Sequence, residues 1–394
     1  MRVSGAIDRW LARCWLAYPQ LARRLLDACA LYLRHAPCAT GQRSLLTFCT
    51  RSLLPALPLF ADAVVSLSAR PDVRMRCFQL GGAHQADILS EWLLLTGVWQ
   101  PALTAYMLRS LLPGDTLVDV GANTGYFALL GAALVGSTGR VVAVEACPRT
   151  HERLLANLAL NPAHRPVVTA VHAAAAAAEG ELTLYQHRRE PLYNTTVPGA
   201  GAGGVAAQAD VWALLQGSGA LGGLDGLGGL GGLGAVGVGA SAAGEVSRLA
   251  GAGVWQTTTV RSAPLDALLG EAGVSEAEVR RARVLKVDVE GGEWAVLQGA
   301  AGLLRDAPAT LEVVVELTPK WLELQGTTVR ELLRHMRGLG FEPYLLAHED
   351  YEISRALPPP PPPPPPRRLR SEELPAGWEQ ADIVFSRRDC EELN

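Results

Sequence analysis

One segment, TLVDVGANTGYFALLGAALVGSTGRVVAVE at residues 116–145, limits the possible folds more than any other. TLVDVG reads as a buried strand, YFALLGAALV as a helix and RVVAVE as a second strand. A strand, turn, helix and strand in that order is the building unit of a parallel sheet. Gly121 and Gly125 allow a sharp turn and let a ligand approach the main chain with no Cβ in the way. Asp119 lies at the carboxyl end of the first strand, where open α/β sheets bind ligands. Glu145 ends the second strand, where a carboxylate can accept hydrogen bonds from both hydroxyls of a ribose. The alternation continues through PRTHERLLANLALN (helix), PVVTAVH, ELTLY and TTTVRS (strands), PLDALLG (helix) and VLKVDVE (strand). GEWAVLQGAAGLLRD (helix), TLEVVVEL (strand), TVRELLRHMRGLG (helix), FEPYLLA and ADIVFS follow, the last two as antiparallel neighbours. The fold class is α/β.

Spacing selects the cofactor. A dinucleotide site needs G-x-G-x-x-G, but here Asn123 takes the middle position and Tyr126 the last. No Gly-Lys-Ser/Thr follows, so a P-loop is excluded. The common ribose ligand that remains, without a phosphate, is S-adenosylmethionine. This disfavours an NAD-binding Rossmann oxidoreductase. A non-catalytic interaction protein on a methyltransferase-like scaffold is the other alternative. The second cluster is LKVDVEGGEW. Read as strand throughout, it points Lys286, Asp288 and Glu290 to one side, and Glu293 follows within a turn of helix. Glu316 ends the neighbouring strand EVVVEL. If the group methylated is a hydroxyl, a carboxylate base within hydrogen-bond reach would serve it. Asp288 or Glu290 is the expected base, Glu316 the orienter and Lys286 the partner that keeps a carboxylate ionised. A helix N-terminus that favours acids would explain Glu290 and Glu293 more simply. Oxygen ligands would suit magnesium, but no metal ligand is assigned.

VDVGANTGYFALLGA, GRVVAVEACP, ERLLANLALN, LKVDVEGGEWAVLQGA and VVVEL together resemble the FkbM-type S-adenosylmethionine-dependent methyltransferases, over roughly 110–198 and 255–346. The resemblance implies a class I methyltransferase-like (Rossmann-like) seven-stranded sheet, mostly parallel with the last strand antiparallel. It also implies methyl transfer to a hydroxyl oxygen of a small molecule or glycan. By position, Asp119, Gly121, Ala122, Asn123 and Gly125 would line the methionine end of the cofactor, with Glu145 and Ala146 at the ribose. Asn194 in YNTT and Glu293 would face the acceptor. The departure is HAAAAAAEG, where a polar adenine contact is expected and six alanines stand.

The rest of the chain is less telling. Residues 1–70 read as a helical, basic N-terminal extension with eight arginines against Asp8 and Asp27 in its first 60 residues, the pattern of a targeting segment. Residues 71–390 read as the methyltransferase domain, interrupted by a Gly/Ala-rich flexible insertion at 199–250 and a polyproline loop at 357–370. The tract 358–366 would suit a proline-binding partner. The net charge of −4 offers no basic field, so no nucleic-acid partner is expected. No transmembrane segment is read, and the seven scattered cysteines read as reduced thiols. The segment 93–115 reads as one helix whose Trp99 and Gln100 cover the cofactor.

Overall fold

A computed structural model describes residues 19–35, 45, 48–49, 63–78, 87–187, 194–196, 255–346, 366–372, 374 and 380–388. The 199–250 insertion, the proline run through Pro365 and residues 1–18 lie outside the described residues. Helix α1 (Pro19–His35) precedes an antiparallel pair, β1 (Val64–Ser66) and β2 (Arg74–Arg76). Next come α2 (Ile88–Thr96), α3 (Pro101–Ser110), β3 (Thr116–Val120), α4 (Tyr126–Val135), β4 (Arg140–Glu145), α5 (Pro148–Ala159) and β5 (Val168–His172). β6 (Ala174–Ala175), β7 (Gly180–His187), β8 (Trp255–Ala263), α6 (Leu265–Glu271), α7 (Glu276–Val279) and β9 (Ala282–Val287) follow. The chain continues with α8 (Glu293–Gly299), α9 (Ala301–Asp306), β10 (Glu312–Leu317), α10 (Pro319–Leu324) and α11 (Val329–Gly338). It closes with β11 (Glu342–Leu345), β12 (Arg367–Arg368) and β13 (Ala381–Ser386).

The main sheet runs β12-β11-β13-β10-β9-β3-β4-β5. Neighbours from β10 to β5 are parallel, and β13 enters antiparallel to both β10 and β11. Seven principal strands, mostly parallel with the last antiparallel, thus form a class I methyltransferase-like sheet, and the two-residue β12 is added at its edge. The chain leaves β3 toward β4 on one side and returns to β9 on the other. The crevice at the carboxyl ends of β3 and β9 is therefore the switch point where such sheets bind ligands.

Strand alternation divides the core into two layers. Leu117, Val141, Val284 and Val314 face α3, α4 and α5 through Leu103, Leu129 and Leu158. Val118, Val142, Leu285 and Val313 face α6, α8 and α11 through Leu268, Val296 and Leu332. Losing one such leucine to alanine costs about 2–5 kcal/mol. Leu26, Cys29 and Leu33 of α1 pack with Leu95 of α2. Among the described residues no helix is long and apolar enough to cross a membrane.

Two expectations are corrected here. The single helix expected over 93–115 is two, because Gly97 caps α2 in the left-handed region at φ 72° and Pro101 starts α3 afresh. ELTLY and TTTVRS stand outside the main sheet, as β7 and β8 of a separate three-stranded sheet.

Candidate active site

Sheet register builds the first half of the site. Asp119 on β3 is the direct neighbour of Lys286 on β9, so both point to the same face at the carboxyl edge. Lys286 Nζ lies 3.3 Å from Asp119 Oδ1, 3.2 Å from Asp288 Oδ2 and 5.3 Å from the Phe127 ring centroid. Asp119 is wholly enclosed and Lys286 is nearly so. Burial favours a neutral lysine, but the charges of Asp288 and Asp119 outweigh it and raise its pKa, so the ammonium is kept. Burial raises the Asp119 carboxyl, and Lys286 opposes that shift.

The glycine loop closes on its own strand ends. The Gly121 and Ala122 N–H groups donate to Val144 O, and Gly125 N–H donates to Ala122 O. Asn123 N–H donates to Glu145 Oε2 at 2.8 Å, and Thr124 N–H donates to Asn123 Oδ1 at 2.7 Å. These N–H groups are thus engaged within the loop and at the end of β4. Gly121, at φ 78°, leaves no room for a side chain, because an added Cβ would stand 1.8 Å from Asp288 O. Cys147 N–H reaches the other Glu145 oxygen at 2.8 Å. Each Glu145 oxygen therefore keeps a lone pair for a ribose hydroxyl. Burial pushes the Glu145 carboxyl up to about 7, against the two N–H donors. Ala146 stands half-buried beside it. Tyr126, at the position of the missing third glycine, turns into the core and pairs its hydroxyl with Thr104 Oγ1 at 3.0 Å. A ribose-bearing cofactor without a pyrophosphate fits this frame.

The second half departs from the strand expected through Glu290. β9 ends at Val287, and the chain turns through Glu290 at φ 50° and Gly291 at φ 102°. Asp288 and Glu290 are therefore brought together by a loop and not by strand alternation. Asp288 N–H donates to Val120 O at 3.1 Å, locking this loop to the end of β3. Glu293 at the start of α8 accepts from Gly291 N–H at 3.0 Å, and Thr195 Oγ1 donates to Glu290 O at 2.6 Å. One carboxylate oxygen each of Asp288, Glu290 and Glu316 lies within 4.8 Å of the others. Burial, then the neighbouring acids, lift the Glu290 and Glu316 carboxyls well above the usual range. Burial pushes Glu293 up to about 7.

The sequence reading thus has its cofactor residues at β3 and β4 and its acids at β9 and β10, along one edge. It missed Asp382, whose antiparallel register with Glu316 adds another acid. It also missed Thr195, which ties Asn194 to the Glu290 loop. Asn194 Oδ1 and Gln100 Oε1 are buried without a hydrogen-bond partner. Gln100, Asn123 and Glu290 are the non-glycine residues with left-handed φ among the described residues, the kind of strain found at ligand sites.

Residues 229–343 match the family model of the FkbM methyltransferase domain. Over that stretch the chain is similar to the FkbM methyltransferases, and its cofactor is S-adenosylmethionine. Residues 96–179 match the family model of the protein-L-isoaspartate(D-aspartate) O-methyltransferases. No curated protein matches the sequence. Among solved structures, the methyltransferase FkbM from Methylobacillus flagellatus KT is 12% identical, with 75% of this chain and 54% of that one covered and a TM-score of 0.36. The chain thus spans about half the length of that protein. The S-adenosylmethionine-dependent O-methyltransferase from Thermotoga maritima is 12% identical, with 79% and 76% covered and a TM-score of 0.31. Precorrin-6y C5,15-methyltransferase from Geobacter metallireducens GS-15 is 12% identical, with 73% and 86% covered and a TM-score of 0.31. At these values the solved structures carry no argument about activity.

Proposed function

We propose that this FkbM-type methyltransferase methylates a hydroxyl oxygen of a small molecule or glycan. The observation that carries the reading is the convergence of Asp288, Glu290 and Glu316 at the sheet edge that also holds the glycine loop. S-adenosylmethionine supplies a methyl carbon on a cationic sulfonium, and as the oxygen–carbon bond forms the carbon–sulfur pair stays on sulfur, leaving a neutral thioether. The chain's residues bind, orient and accept the proton. Glu145 holds the ribose. Asp119, enclosed against Lys286, lies at the methionine end of the cofactor together with the loop Gly121–Gly125. Asp288 or Glu290 accepts the acceptor's hydroxyl proton, which a positioned base makes faster by about 10²–10⁴-fold. Glu316 orients the acceptor, and Lys286 holds the Asp288 carboxylate in place through their 3.2 Å ion pair. Asn194 and Glu293 border the acceptor space.

The test is incubation with methyl-tritiated S-adenosylmethionine and extracts rich in hydroxylated small molecules and glycans. The reading predicts label in a methyl ether, stable to mild base. Label released by mild base as a carboxyl methyl ester, or found on nitrogen, would overturn it.

A further inference from the structure

Four acids, Asp288, Glu290, Glu293 and Glu316, act on one another at the carboxyl edge, where Lys286 is shared between Asp119 and Asp288. We propose that Asp288, Glu290 and Glu316 bind one hard divalent cation of the magnesium or manganese class. This departs from the sequence reading, which assigned no metal, and only the cation's role, not its binding, rests on the methyl-transfer reading.

Geometry carries the proposal. Bonds of about 2.0–2.1 Å place octahedral ligand oxygens about 2.9–4.2 Å apart. One oxygen from each of the three carboxylates lies within 4.8 Å of the others, so small side-chain rotations close the set. All three are partly buried carboxylates on different supports: the loop after β9 for two, and the end of β10 for the third. Hard oxygens of this kind select magnesium or manganese over the softer metals.

A second observation points to a ligand there. Glu293 is 3% exposed, and its Oε1 is taken by Gly291 N–H, while its Oε2 has no hydrogen-bond partner. Glu293 packs inside the loop that carries Asp288 and Glu290, and its charge acts on both Glu290 and Glu316. That open oxygen therefore belongs to the acid group that acts on the three carboxylates. Asn194 Oδ1, also buried and unpartnered, is held beside them by the Thr195 bond to Glu290 O. A buried carboxylate oxygen with no donor is costly. A cation above it, directly or through a bound water, removes that cost. Three protein ligands leave about three of six octahedral positions open, room for water and for an acceptor hydroxyl, whose proton the cation would acidify.

The experiment is titration of the full-length protein with manganese(II), followed by electron paramagnetic resonance, with S-adenosylhomocysteine present. Wild type is expected to take up one equivalent, displaced by magnesium. Glu316→Gln and Glu290→Gln, isosteric and checked for native folding by circular dichroism, should each weaken uptake at least tenfold. Glu276→Gln, a change at an exposed acid, should leave it unchanged. Absence of saturable uptake in wild type, or equal uptake in both isosteric variants, would overturn the proposal. Turnover separates the two readings. Label transfer that persists in EDTA, with no manganese bound, sinks the cation alone. Manganese bound at one equivalent, with no methyl transferred to any extract, sinks the hydroxyl-methylation reading alone.

Discussion

Strand β10 carries two glutamates on one face, and the chain treats them in opposite ways. Glu312, at the amino end, is buried among cations and donors: Arg283 at 3.1 Å, Arg388, and the hydroxyls of Tyr106 and Ser110. Glu316, four residues on at the carboxyl end, sits among Asp288, Glu290, Asp382 and Glu293. The first is a completed network, which fixes the strand to α3 and to the segment after β13. The second is incomplete by the same standard. A sheet edge built only for stability would pair its second glutamate as it pairs its first. The contrast marks the carboxyl edge as the place where a ligand finishes the electrostatics.

Four changes probe that contrast. The largest effect is expected at the amino edge, where Glu312→Ala strands two arginines and should cost about 3–5 kcal/mol. Thermal unfolding should fall by about 10 °C, while calorimetry finds S-adenosylhomocysteine affinity little changed. Gly121→Ala comes next. It forces a left-handed φ on a side chain, at about 1–2 kcal/mol, and drives its Cβ into Asp288 O. Cofactor binding should be lost in calorimetry even where the protein folds.

Glu145 gives a smaller effect with a defined sign. Its folded pKa of about 7 lies above the ordinary 4.5, so its stabilising share is complete below pH 4.5 and is lost as pH rises through about 7. Ribose hydroxyls bind the ionised form, so affinity for S-adenosylhomocysteine should rise about tenfold from pH 6 to pH 8. Glu145→Gln should flatten that rise, and a wild-type affinity independent of pH would count against the ribose role. The smallest effect is expected for Glu316→Gln in EDTA. Removing one of several like charges should leave the unfolding temperature equal or raise it by a few degrees, about 1 kcal/mol at most. A fall like that of Glu312→Ala would erase the distinction between the two edges.

Much of this was legible in the sequence because period and punctuation are local properties. The apolar runs ending at Asp119, Glu145 and Glu316 gave their strands. Asn123 and Tyr126, standing where glycines would, excluded the pyrophosphate ligands. What sequence could not supply was register. The pairing of Asp119 with Lys286 follows from how β3 and β9 align, and that of Glu316 with Asp382 from an antiparallel strand 66 residues away. The end of β9 was misplaced because LKVDVEG alternates like a strand until Glu290 adopts a left-handed φ. The separate β7–β8 pair was missed for a similar reason. ELTLY and TTTVRS have the period of strands, but nothing local says which sheet they join. The engaged N–H groups of the glycine loop depend on Val144 O and Glu145, contacts no spacing rule reveals.

The most direct test is the Asp288→Asn variant measured beside wild type for methyl transfer and for cofactor binding. Loss of about 10²–10⁴-fold in kcat, with S-adenosylhomocysteine bound as tightly as before, is the predicted result. Turnover within a few-fold of wild type both here and in Glu290→Gln would contradict a carboxylate-assisted transfer at this edge.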